Sequence, residues 1–156
     1  MSSKLSARNI TIDIVISEFN ETIINNLLKG ALDAFIHYGG IKSDMHIYRV
    51  PGAFEIPGTI MQITKHHSSD AILALGAVIR GETPHFDFIA RESTRGIAEI
   101  SRNFDIPIIN GILTTDNFQQ AVDRSKVGGN NKGWDVMEAA LKTVSVYRSI
   151  RTTSQC

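Results

Sequence analysis

The sequence predicts an α/β fold: a four-stranded parallel sheet flanked by helices on both faces, a three-layer sandwich. Two observations carry this. Segments rich in β-branched residues alternate with segments whose apolar residues recur at helical spacing, in the order β-α-β-α-β-α-β-α-α. Such alternation implies parallel strands joined by right-handed crossovers. In addition, AILALGAVI (Ala71 to Ile79) is a continuous apolar run, as expected of a strand covered on both faces in the middle of a parallel sheet.

The elements follow in order. Residues 1–8 are expected to form a loose arm, and residues 9–156 a single domain. ITIDIVIS (Ile10 to Ser17) is β-branched and reads as the first strand. ETIINNLLKGALDAFIHYGG follows, with Ile24, Leu27, Leu28, Ala31 and Phe35 on one helical face and Gly39-Gly40 as the stop. MHIYRV (Met45 to Val50) reads as a second strand closed by Pro51-Gly52. Ile56, Ile60 and Ile63 predict a short helix over 54–66. After the strand at 71–79, HFDFIARESTRGIAEISRNF reads as a long helix and IPIINGILT (Ile106 to Thr114) as the fourth strand. NFQQAVDRS predicts a short helix and NKGWDVMEAALKTVSVYRSI a final long one. No repeat, low-complexity tract or linker interrupts the chain.

Composition narrows the function. The chain has 156 residues, with 16 basic and 16 acidic side chains. That balance gives no electrostatic reason to expect a nucleic acid or an anionic membrane as partner. The opening MSSKLSARN lacks the apolar core of a signal peptide, and no apolar run reaches transmembrane length. The one cysteine, Cys156, supports neither a disulfide framework nor a Cys-based metal site. A cytoplasmic protein without a metal is the expectation.

In open parallel sheets, ligands bind outside the carboxyl ends of the strands. The segments that follow the four strands are Ser17-Glu18-Phe19-Asn20, Pro51-Gly52-Ala53-Phe54-Glu55, Arg80-Gly81-Glu82-Thr83-Pro84-His85 and Thr114-Thr115-Asp116. The residues best suited to recognition therefore gather at one edge. Gly76 to Thr83 almost spells a nucleotide-binding P-loop, with Glu82 in place of the lysine. But Ala77, Val78, Ile79 and Arg80 are β-formers that continue the strand, and Glu82 would repel a nucleotide phosphate. What remains is a strand end, a glycine turn, and then Thr83 and His85 at the mouth of a helix. Free backbone N–H groups and the positive dipole end there suit one small phosphate.

Several segments together carry a family resemblance: SEFN (Ser17 to Asn20), VPGAFEIP (Val50 to Pro57), GAVIRGETPHFDFIA (Gly76 to Ala90), PIINGILTTDNFQQAVDRS (Pro107 to Ser125) and NKGWDVMEAAL (Asn131 to Leu141). They span nearly the whole chain, in order, and resemble the lumazine synthases, enzymes of riboflavin biosynthesis. The resemblance implies a flavodoxin-like domain. It also implies condensation of a ribitylamino-pyrimidinedione with a dihydroxybutanone phosphate, without metal, nucleotide or organic cofactor. Subunits would form pentamers, sometimes assembled into hollow capsids.

The resemblance also implies roles. His85 would move protons, since histidine titrates near neutrality. Phe19 would stack on the pyrimidine ring. Ala53, Phe54 and Glu55 would hydrogen-bond the ring and ribityl chain, and the backbone of Ala77, Val78 and Ile79 would read the ring edge. Glu82 and Thr83 would hold the phosphate by backbone and hydroxyl contacts, and Arg124 would grip it with its guanidinium fork. Lys132 is a second charged candidate. Read without the resemblance, His85 is a capping or solvated histidine, Arg124 and Lys132 are surface charges, and Phe19 is a core aromatic.

The chain departs from the family pattern in places. Asn110 stands where many members carry an aromatic beside the ring, so it could bond the heterocycle but not stack on it. Glu18 stands where a basic residue is usual, and KVGGNN (Lys126 to Asn131) replaces a basic turn. His66-His67 is not a metal pair, because adjacent residues do not share a helix face. Phe86 and Phe88 are expected to pack against the sheet or a neighbouring subunit. The alternative functions are a non-catalytic flavin-binding module and a shell-forming homologue. His85 together with Arg124 argues against both, since neither storage nor a shell needs a proton shuttle.

Overall fold

The computed structural model describes residues 4–154. Four strands, β1 (Ile12–Ser17), β2 (Met45–Val50), β3 (Ala71–Ile79) and β4 (Ile108–Thr115), form one parallel sheet in the order β2-β1-β3-β4. This is the flavodoxin-type order, in which the chain winds first to one side of β1 and then to the other. The helices are α1 (Glu21–His37), α2 (Ile56–His66), α3 (His85–Asn103), α4 (Phe118–Asp123) and α5 (Lys132–Ser154). The element order expected from the sequence holds throughout. β2 and β3 have the bounds expected, other boundaries move by up to four residues, and α2 is preceded by a 3-10 turn at Ala53–Glu55.

The two layers of helices cover separate cores. On one face, Ile23, Ile24, Leu27, Ala31 and Phe35 of α1 pack with Val136, Met137, Ala140 and Leu141 of α5 against Ile12, Ile14, Leu73 and Leu75. On the other, Ile56, Ile60 and Ile63 of α2 and Ile97 and Ile100 of α3 pack against Val15, Ile72, Ala74 and Ile112. Alternate residues of β1 and β3 thus feed opposite cores, and for that reason both strands read as unbroken apolar runs. Asp13 is the exception in β1. It is 2% exposed, with His46 Nδ1 on the adjoining β2 at 3.3 Å from Oδ1.

The ends of the helices are set locally. Gly39, at φ 94°, closes α1. Its N–H donates to Ile36 O at 3.0 Å, and that of Gly40 to Phe35 O at 2.8 Å. This paired return uses the left-handed conformation that glycine adopts at no steric cost. Asn131 opens α5. Its Oδ1 accepts from Trp134 N–H at 3.1 Å and its Nδ2 donates to Asn26 O at 2.9 Å, so one side chain caps α5 and ties it to α1. Gly133 lets the two backbones meet there, because a Cβ would run into the Leu27 carbonyl.

The arm expected at 1–8 is anchored at its inner end. Ala7 is buried in the α1–α5 core, and its N–H donates to Tyr38 O at 2.8 Å. Residues 1–3 of that arm, and Cys156, lie outside the described residues. No helix among those described is long and apolar enough to cross a membrane.

Candidate active site

At the carboxyl ends of β1, β2 and β3 the chain leaves a cleft of about 590 Å³. Three strand-end segments wall it: Phe19, then Pro51 to Glu55, then Ala77 to Ile79 continuing to Gly81, Thr83 and His85. Phe86 and Ile89 of α3 complete the wall. The volume suits a small molecule with a flat ring and a short chain. Two aromatic side chains stand open at this cleft, Phe19 at 62% and Phe54 at 61% exposed. An aromatic left so exposed beside a cavity offers a stacking face rather than core filling.

The floor and the mouth differ chemically. Ala53, Ala77 and Val78 are buried, so that wall offers mainly backbone groups and apolar surface. Glu55 supplies a carboxylate and His85 an imidazole, both exposed. Strand β3 runs through Ile79, so no phosphate-wrapping loop exists between Gly76 and Arg80. Instead, the glycine turn delivers the chain to α3, whose first residue is His85 and whose N-cap is Pro84. No side chain caps α3, so its first N–H groups have no side-chain acceptor, and the positive end of the helix dipole lies at His85, which lines the cleft.

Nine of the residues singled out in the sequence therefore line one cleft: Phe19, Ala53, Phe54, Glu55, Ala77, Val78, Ile79, Thr83 and His85. Glu82, Asn110, Arg124 and Lys132 do not line it. Asn110, on the exposed part of β4, turns its Oδ1 back to Ile112 N–H at 3.0 Å. Arg124 and Lys132 meet each other through the backbone, Lys132 N–H donating to Arg124 O at 2.8 Å across the loop that Ser125 and Asn131 close. Both side chains are exposed, and the Arg124 guanidinium donates to Gln120 O at 3.2 Å, four residues back on α4.

Sequence reasoning gave Arg80 no role, and the structure gives it three neighbours. Its Nε donates to Asp116 Oδ1 at 3.1 Å, and one terminal nitrogen reaches Asp87 Oδ1 at 3.4 Å. The guanidinium also lies 4.5 Å from the centre of the Phe86 ring. The bond to Asp116, with further help from Asp87, raises its pKa above the ordinary arginine value. Phe86, expected to pack on the sheet, does so and also lines the cleft. Phe88 is 60% exposed. His66 ends α2 and His67 meets Tyr48 edge-on at 6.0 Å. Among the described residues no cluster of three or more His, Cys, Asp or Glu side chains is placed to hold a metal ion.

The sheet order defines a flavodoxin-like α/β protein, with a candidate small-molecule cleft at the carboxyl edge of its sheet, where the strand order reverses. Residues 9–148 match the family model described as 6,7-dimethyl-8-ribityllumazine synthase, and the chain belongs to that family. A 6,7-dimethyl-8-ribityllumazine synthase of Chlorobium limicola is 43% identical over 148 residues, which covers 95% of this chain and 96% of the relative. One from Chloroherpeton thalassium is 41% identical over 150 residues, covering 96% and 97%. Among solved structures, a de novo designed Rossmann fold protein overlays with a TM-score of 0.41 at 15% identity, over 72% of this chain and 90% of that one.

Proposed function

We propose that this chain condenses 5-amino-6-(D-ribitylamino)uracil with 3,4-dihydroxy-2-butanone 4-phosphate to form 6,7-dimethyl-8-ribityllumazine, the penultimate step of riboflavin synthesis. The observation that carries the reading is the cleft itself. A histidine at the first position of an uncapped helix stands beside a cavity of about 590 Å³ that two exposed phenylalanines flank, in a chain of this family.

Each wall has a task in that reaction. Phe19 stacks on the pyrimidinedione, and Phe54 shields it with the buried floor of Ala53, Ala77 and Val78. Backbone groups of 53–55 and 77–79 hydrogen-bond the ring and ribityl chain, and Glu55 accepts from ribityl hydroxyls. The butanone phosphate lies at the start of α3, where Thr83 and the leading amides meet its oxygens. Glu82 contributes there through its backbone, its side chain turned away from the anion. The 5-amino group attacks the ketone and water leaves, giving a Schiff base; phosphate is then eliminated, the resulting enol tautomerises to a carbonyl, and the ribitylamino nitrogen attacks that carbonyl with loss of a second water, closing the ring. His85 takes and returns protons during these steps.

The test is spectroscopic. The wild-type chain, given the two substrates, produces the lumazine chromophore. His85→Ala lowers kcat by about a hundredfold or more, the scale of a general acid–base group. A mutant as fast as wild type removes His85 from the mechanism, and a wild-type chain that forms no lumazine removes the reading.

Arg124, Lys132 and Asn110 belong, in this proposal, to the same chemistry through a neighbouring copy. We propose a cyclic homopentamer in which the β4–α4–α5 side of one subunit closes the cleft of the next. Arg124 then grips the phosphate with Lys132 as a second cation of the same pocket, and Asn110 meets the pyrimidinedione. Support comes from their exposure and from their distance from their own chain's cleft wall. A heterologous contact repeated around a ring closes on itself and makes identical composite sites.

A further inference from the structure

We infer that Arg80 is a positioning residue: it clamps the first turn of α3, and so the place of His85, to the end of β4. The inference rests on the reaction proposed above and assigns a part to a residue that touches none of its atoms.

The geometry is specific. The β3–α3 turn, Gly81 to Pro84, is exposed and has no side-chain cap at the helix it introduces. Apart from the Asp87 N–H to Pro84 O bond at 3.1 Å, little local structure holds this turn in one place. Arg80 stands just before it, with its own backbone fixed to the neighbouring strand by the bond from its N–H to Thr115 O at 2.9 Å. From that fixed point its side chain reaches both ways. Asp116, one residue past β4, anchors one side of the guanidinium; Asp87, two residues after His85 on α3, takes another; Phe86, the residue next to His85, lies under its face. One planar cation therefore joins the sheet edge to the two residues that follow the histidine.

Each contact alone is weak. Arg80 is 46% exposed, Asp87 50% and Asp116 70%, and an isolated exposed ion pair is worth about 0–1 kcal/mol. Their value is geometric. A guanidinium presents its donors in a rigid fork and stacks on an aromatic face, so three partners fix one orientation. Phe86 also lines the cleft. Arg80 thus braces from outside the wall that the substrate meets from inside. It also balances Asp87 and Asp116 beside the place where an anion is to bind, which a neutral residue would not do.

The experiment is a double-mutant cycle read as kcat on the assembled enzyme, with unfolding temperature and particle mass confirming an intact fold. Arg80→Ala lowers kcat about tenfold or more, the scale expected when a positioned group is displaced by a fraction of its contact distance. In a His85→Ala background the same substitution changes the remaining rate less than twofold, because the group it positions is gone. Asp116→Asn, on an exposed side chain that threatens no fold, lowers kcat by a smaller factor with the same dependence on His85. Arg80→Lys, which keeps the charge but loses the fork, falls between alanine and wild type. The inference is overturned if Arg80→Ala keeps wild-type kcat, if it loses the same factor with and without His85, or if Asp116→Asn loses nothing. Those outcomes leave lumazine formation by the wild type untouched, whereas failure of the wild type to form lumazine ends both proposals.

Discussion

At the scale of single residues, Arg124 separates binding from chemistry. It is exposed and, among the described residues, its side chain bonds back to its own helix at Gln120 O, so loss of the side chain disturbs little of the fold. If it grips the phosphate, Arg124→Ala raises KM for the butanone phosphate more than KM for the pyrimidinedione. A hydrogen bond to a charged group is worth about 1.5–3 kcal/mol, so the first KM rises about tenfold or more. Steady-state kinetics with each substrate varied in turn checks this, and equal rises would make Arg124 structural. Phe19, Ala53, Phe54, Glu55, Thr83 and His85 were legible because they follow strand ends, and strand ends in a parallel sheet converge by topology; Ala77, Val78 and Ile79 lie within β3 and read as core until the family resemblance gave their backbone a task. Arg80 was not legible as a clamp. Its partners lie 7 and 36 positions along the chain, and no local pattern announces which of many acids an arginine will meet. Nor could the sequence say that Arg124 and Lys132 stand off their own cleft, because spacing does not reveal which copy of a chain completes a site.

At the scale of elements, Asn131 ties the start of α5 to α1. Asn131 caps α5 and donates to the Asn26 carbonyl 105 positions away. Asn131→Ala leaves the α5 N-terminus uncapped and a partly buried carbonyl without its donor. These losses together cost about 2–4 kcal/mol and lower Tm by roughly 5–15 °C. Thermal unfolding followed by circular dichroism tests it, and a shift within a degree or two of wild type would show that water replaces both bonds. The sequence marked asparagine as a plausible start for this helix, since the last periodic segment begins there. The tie to α1 stayed hidden because it depends on a packed backbone contact that Gly133 permits. The inner end of the N-terminal arm was hidden for a similar reason: a lone alanine in a polar stretch gives no sign that it will be buried against Tyr38.

At the scale of the whole molecule, the shared site has a test that needs no further structure. His85→Ala and Arg124→Ala chains are each impaired alone when assayed at low butanone phosphate. Unfolded and refolded together in equal amounts, they mix at random. An intact His85 then faces an intact Arg124 at about a quarter of the contacts of a cyclic ring, and activity returns towards that fraction of wild type. A mixture no more active than its parents, with subunit exchange shown by mass, places both residues in one chain's site and ends the composite-site proposal. Light scattering on the wild type gives the number of subunits independently. The sheet layers and the edge that carries the cleft were readable from alternation, whereas the strand order β2-β1-β3-β4 was not, because alternation does not say on which side of β1 each later strand is laid.

The strand order has a consequence for the chain as it is being made. β1 lies inside the sheet, between β2 and β3, yet it leaves the ribosome first. Even the bond from Thr11 to Asp70, at the foot of the β1–β3 pair, spans 59 positions. Contacts that distant close late and slow the search for the native state. Meanwhile IDIVIS is a six-residue β-branched segment with no proline and no glycine, of the kind that pairs with copies of itself. Its one charge is Asp13. In the finished protein that carboxylate is an awkward tenant, nearly sealed beside His46. On the growing polypeptide it is a gatekeeper, setting a negative charge within this aggregation-prone stretch until the partner strands arrive.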